Sequence, residues 1–307
     1  MPKINTHLDF ANEVIQGIES SKLAEINSNN KREFLIGSIF PDIFFYRINK
    51  RLFEMSEYIH GKEGNKTNEL LFDILNVAKE KQDEKILAFV FGFVTHTVLD
   101  MKLHPLIYYL AGNYYDENKE RQSEAVYQHI KLETMLDKSI AGKNNINGQL
   151  KSVKFLKLLK DVLNQKEIYF KDIQISHKII LFIDSKFLPR RSVHGLARIL
   201  VKIKLLDRKY LGLFYNEVKN EKIDLDKMMQ YRDLITGEQK KASFNILLQE
   251  ALEEVILRIE MAYKYYNGET SLKEAKKVIK GENLSVGKEG VASYAIKYTR
   301  TISNSRF

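Results

Sequence analysis

Apolar residues recur at helical spacing along almost the whole chain, and this periodicity restricts the fold more than any other feature. Leu8, Ala11, Val14, Ile15 and Ile18 form one stripe, with Asn5 or Thr6 placed to cap its N-terminus. A short helix is predicted over 31–40 and is stopped by Pro41. The same period runs through 68–79, 83–103, 118–140, 150–163, 189–210 and 242–265. With only 4 Pro and 15 Gly, a loop-rich β sandwich is disfavoured and the expected class is all-α, a helical bundle. Ile168, Phe170, Ile173 and Ile175 alternate like a strand, but no partner strand is evident. The polar stretch after Gly142 is the best internal boundary. It divides the chain into a core over 1–145 and a helical extension over 146–307, packed on it or continuous with it. The polar tail from Gly281 onward is expected to be poorly ordered.

Several classes are excluded. The chain has no Cys, so disulfides, thiolate metal ligands and a thiol nucleophile are impossible. The nearly apolar run over 86–99 is too short to span a bilayer. The opening MPKINTHLDF lacks a basic stretch followed by an apolar one, so a cytoplasmic chain without a secretory signal is expected. Charge is uneven: up to residue 150 there are 18 Lys+Arg against 21 Asp+Glu, and beyond it 31 against 19. A basic second half suits either a solvated helical surface or a phosphate-bearing one.

The histidines carry the functional signal. His96 and Asp100 lie four apart in AFVFGFVTHTVLDMKLHP, on one side of a helix that is otherwise apolar. Burying both is costly unless they are satisfied, and a metal ion would satisfy both. His104 continues the spacing, although Pro105 should push it off the helical path. His129 and Glu133 repeat the device on the next helix, and paired helices of this kind build multinuclear metal sites. Nitrogen and oxygen ligands suit zinc and also admit manganese or iron. His177 and His194 have no spaced carboxylate and read as ordinary histidines. Asp137, one turn beyond Glu133, reads either as a surface carboxylate or as a group orienting a ligand.

THLDFA at 6–11, FLIGSIFPDI at 34–43, His60, GFVTHTVLDMKLHP at 92–105 and HIKLE at 129–133 together resemble the bacterial zinc-dependent phospholipase C family. The single-strand-specific zinc nucleases share the ligand order. The resemblance covers roughly residues 5–140, and YRDLITGEQKKASF at 231–244 resembles a stretch of uncharacterised intracellular relatives. It implies an all-helical phosphodiester hydrolase with up to three zinc ions. Asp42, His60, His96 and Asp100 would hold one, and His104, His129 and Glu133 a second. His7 would hold a third together with Asp100, which bridges the first and third. It also implies that Asp42 accepts the proton of the attacking water. Secreted members complete the third site with an N-terminal tryptophan. This chain has no Trp, so a third zinc is expected to be weak or absent.

The expected substrate is a phospholipid headgroup ester. The rivals are a nuclease or small phosphodiesterase on the same core, and a non-catalytic helical interaction module stapled by metal. The basic, apolar segment 189–209 is a candidate for peripheral contact with an anionic membrane, set against a plain core helix with a solvated basic face.

Overall fold

The helical period is realised as twelve α-helices among the described residues. A computed structural model describes residues 3–45, 49–140, 150 and 152–300. In chain order the helices are α1 (Ile4–Gly17), α2 (Ser21–Asn29), α3 (Lys31–Ile39), α4 (Lys50–Ile59), α5 (Glu69–Lys81), α6 (Glu84–Ala111), α7 (Lys119–Ile140), α8 (Lys160–Gln165), α9 (Phe170–Phe182), α10 (Arg191–Lys202), α11 (Phe244–Tyr266) and α12 (Leu272–Val278). The class is all-α. The only strands among the described residues are the antiparallel pair β1 (Met229–Arg232) and β2 (Gln239–Ala242), with Met229 opposite Ala242.

The apolar run forms the axis, α6, whose first turn is closed by Asp83 Oδ1 accepting from Lys85 N and Ile86 N. The helix is long and apolar enough to cross a membrane. However, 94% of its most apolar window is buried inside this protein, so it is a core helix. α1, α3, α5, α7 and α11 surround it. One apolar cluster joins Leu8 and Phe34 to Phe89 and Leu103, and extends to Ala251, Val255 and Ile259 of α11.

The closest contact is between α3 and α6. A Cβ on Gly37 would lie 2.1 Å from Phe89 O, and one on Gly92 would lie 1.9 Å from Phe34 O. The two backbones therefore touch directly, which only paired glycines allow.

Five local expectations are corrected. Pro105 does not end α6, and His104 stays on the helical path. The Met101 carbonyl that Pro105 cannot serve faces Gly287, where an added Cβ would lie 3.2 Å from that oxygen. The apparent strand over 168–175 is mostly the start of α9, whose buried face carries Ile173, Ser176, His177 and Ile180. Asn5 and Thr6 do not cap α1 but lie inside its first turn. Asp137 of α7 does that work: its Oδ1 accepts from Thr6 N at 2.8 Å and Thr6 Oγ1 at 2.9 Å. Asp137 is thus buried rather than a surface carboxylate. Finally, the tail is folded as far as residue 300, and 301–307 lie outside the described residues. Asn283, Leu284 and Ser293 are buried, and Lys297 N bonds to Leu234 O in the hairpin turn.

Candidate metal centre

Four of the candidate side chains, Asp42, His60, His96 and His104, are fixed by backbone features near them. α3 ends at Ile39 and passes into a tight turn, Phe40–Asp42, that delivers Asp42. The same turn is tied to α4 by Ser56 Oγ donating to Pro41 O at 2.8 Å. His60 follows the last turn of α4 and donates Nδ1–H to Ser56 O at 2.6 Å. The α3–α6 backbone contact brings Ser38 O within 2.9 Å of His96 Nδ1. His104 Nδ1 lies 3.0 Å from Leu284 O, a carbonyl 180 residues away in sequence. These acceptors place the hydrogen on Nδ1 of all three rings and leave Nε2 with a lone pair.

Those lone pairs point at carboxylates. His60 Nε2 is 3.0 Å from Asp42 Oδ1 and 3.6 Å from Asp100 Oδ2. His96 Nε2 is 3.4 Å from Asp100 Oδ2, 3.6 Å from Asp42 Oδ1 and 3.4 Å from His60 Nε2. On α6 and α7, His104 Nε2 is 3.5 Å and His129 Nε2 2.9 Å from Glu133 Oε1. Within each group, Asp42–His60–His96–Asp100 and His104–His129–Glu133, the donor atoms lie within 4.8 Å of one another, and every residue is buried. The groups adjoin, with His104 Nδ1 3.8 Å from Asp100 Oδ2. His7 stacks on His96 at 4.1 Å and brings Nε2 within 3.4 Å of Asp100 Oδ1 and 3.6 Å of Asp42 Oδ2. All eight residues singled out in the sequence are therefore neighbours. Of the remaining histidines, His194 meets Glu217 at 2.8 Å, and His177 is buried in α9, where burial lowers its pKa to about 4.

A tetrahedral zinc with bonds of about 2.0–2.1 Å sets its ligand atoms about 3.3–3.4 Å apart. The first group clusters around that spacing. Electron-rich atoms aimed at one another in a dry interior repel unless a cation lies among them. His7 Nδ1 and Nε2, both Asp100 oxygens and His104 Nε2 are buried without a hydrogen bond to any described residue. The donor set therefore fits divalent metal.

The electrostatics agree. Burial, followed by the neighbouring His96, lowers His7 to about 3, and burial lowers His104 to about 4. Burial likewise pushes His129 well below the usual imidazole range. Neutral imidazole is the metal-binding form. His60 is the exception: burial acts to lower it, but Asp100 and Asp42 outweigh burial and raise it to about 9. A proton there occupies the place a metal would take. For Asp42 and Asp100, burial works upward. The imidazoles, led by His96 for Asp42 and by His104 for Asp100, hold both below the usual carboxylate range.

Sequence reasoning missed the outer contacts. Gly37 and Gly92 were visible as glycines inside apolar helices, a signal of close backbone approach. Nothing in the sequence indicated that Leu284 would supply a carbonyl to His104.

A family model described as zinc dependent phospholipase C matches residues 6–187, a range that includes every candidate residue. No curated protein and no solved structure matches significantly.

Proposed function

Because the chain belongs to the zinc-dependent phospholipase C family, we propose that it hydrolyses the phosphodiester of a phospholipid headgroup at the two joined His–carboxylate groups. The observation that carries this reading is their junction: Asp100 faces the first group through Oδ2 and His7 through Oδ1, while His104 adjoins it from the second. Asp42, His60, His96 and Asp100 would hold one zinc, and His104, His129 and Glu133 another. His7 with Asp100 and Asp42 would hold a weaker third. Metal bound there polarises the phosphoryl oxygens and acidifies the attacking water.

The chain supplies the rest. Asp42 is ionised near neutrality and accepts the proton of the attacking water. Ser38 O, Ser56 O and Leu284 O hold the rings of His96, His60 and His104 in one tautomer, so that no ring rotates during turnover. Aromatic side chains flank both groups. Phe45 packs edge-on against His60 at 5.1 Å and against the exposed Phe53 at 5.3 Å, and Tyr108 packs against His129 at 4.5 Å. Such apolar walls suit a lipid ester better than a nucleic acid strand, whose phosphates need paired cations.

The test compares wild type with Asp42→Asn on phosphatidylcholine vesicles, a soluble aryl phosphodiester and single-stranded DNA, with zinc content measured on the same samples. The variant should lose hydrolysis by about 100-fold or more. Near wild-type turnover would remove Asp42 from the reaction, and preference for DNA over lipid would overturn the substrate class.

A further inference from the structure

α10 divides its circumference into three parts. At 100° per residue, Val193, Ala197 and Val201 fall on one third and pack into a small apolar cluster with Leu188, Leu211 and Phe214. Arg191, Arg198 and Lys202 share a second third. Leu196, Ile199 and Ile203 share the last, within about 60° of one another, and are 56–59% exposed. Two residues past the helix end, Lys204 takes φ 58°, and the turn throws Leu205 outward to 74% exposure, the most exposed large apolar side chain described. None of Arg191, Arg198, Lys202 and Lys204 has an ion-pair partner among the described residues, and the one acidic residue between 185 and 209 is Asp207.

We propose that this face docks on a lipid bilayer bearing anionic headgroups. α10 would lie in the interface, with Leu196, Ile199, Ile203 and Leu205 entering the acyl region. Charge decides for this occupant: a line of unpaired cations runs alongside the apolar stripe, as an amphipathic interfacial helix requires. Shape agrees. The apolar atoms are single protruding side chains on a convex helix, with open space above Gly195, so they offer no groove to a folded partner but can enter a deformable medium. The docking does not depend on which phosphodiester the buried site cleaves.

The test uses the full chain and vesicles of phosphatidylcholine with and without phosphatidylglycerol. Because the sequence has no tryptophan, Ile199→Trp places a single indole on the exposed stripe without disturbing the core. Its emission should shift to the blue with anionic vesicles, and the shift should fade as salt rises. Replacing Leu196, Ile199 and Ile203 by Ser should weaken co-sedimentation by about 100-fold or more, while turnover of a soluble aryl phosphodiester stays at the wild-type level. Three results would overturn the proposal: no emission shift, partitioning that ignores the triple substitution, or a concentration-dependent dimer in light scattering that the triple substitution abolishes. Vesicle binding without any hydrolysis would leave this proposal standing and refute the catalytic one.

Discussion

Replacing Asn283 by Ala should loosen zinc at the second group without touching any of its ligands. Asn283 is 1% exposed. Its Nδ2 donates to Gly61 O at 2.6 Å, Val291 O at 2.9 Å and Ser293 Oγ at 3.0 Å, and its Oδ1 accepts from Ser285 N at 2.7 Å and Val286 N at 3.2 Å. These bonds shape the turn in which Leu284 O receives the His104 hydrogen at 3.0 Å and Leu284 N donates to His60 O at 3.0 Å. Truncation strands the Ser285 and Val286 amides, while Gly61 O keeps its bond from Gly64 N at 2.8 Å. At about 1–3 kcal/mol for each unsatisfied group, the fold should lose about 2–6 kcal/mol. Freed from its carbonyl, His104 should bind metal about 10–100-fold more weakly, the usual effect of removing an outer partner. Zinc affinity is read by chelator competition and stability by urea unfolding. Val255→Ala, a cavity in α11, serves as the control for lost stability alone. If Asn283→Ala lowers stability and leaves zinc affinity at the control value, the Leu284 bridge does not position His104.

Gly92→Ala should abolish soluble expression or cost more than about 3 kcal/mol, because its Cβ would sit 1.9 Å from the Phe34 carbonyl; a folded, zinc-binding variant by circular dichroism would refute the backbone contact. His7→Ala should leave two zinc ions bound and remove only the weakest site, and a zinc titration identical to wild type would take His7 out of the ligand set. Asp184 accepts from Asn5 and Tyr215 beside Asp137, and burial, followed by the Asp137 charge, raises its pKa to about 6. The folded state therefore holds this proton more tightly than the unfolded state, so stability should fall by roughly 3 kcal/mol as pH rises from about 4 through 6. Asp184→Asn should flatten that part of the urea-unfolding profile.

How far the sequence could be read depended on the range of the interaction. Four-residue spacing on one helix is local, so His96–Asp100 and His129–Glu133 stood out, and the helical period gave the class. Pro105 misled because its local preference was outweighed by burial of the whole of α6 and by Gly287 lying against the freed Met101 carbonyl. Asn5 and Thr6 looked like caps because capping is usually local, whereas here the carboxylate comes from Asp137, 131 residues away. The stretch over 168–175 misled because Ile168/Phe170 and Ile173/Ile175 alternate only as two pairs separated by a three-residue step, too little to separate a strand from a helix. Polarity suggested disorder for the tail, yet Asn283, Ser285 and Ser293 are polar because they satisfy one another beneath the site.

The carbonyl that orients His104 also sets a clock. During synthesis, His96, Asp100 and His104 emerge well before Leu284, which follows 180 residues behind His104. At about 5–20 residues per second, that delay is roughly 10–35 s. Throughout it the nascent chain carries most of its ligands without the strap that gives His104 its final orientation. The ligands therefore come first and the strap that fixes His104 comes last, so a metal captured early would stay exchangeable until the segment around Leu284 folds against the site.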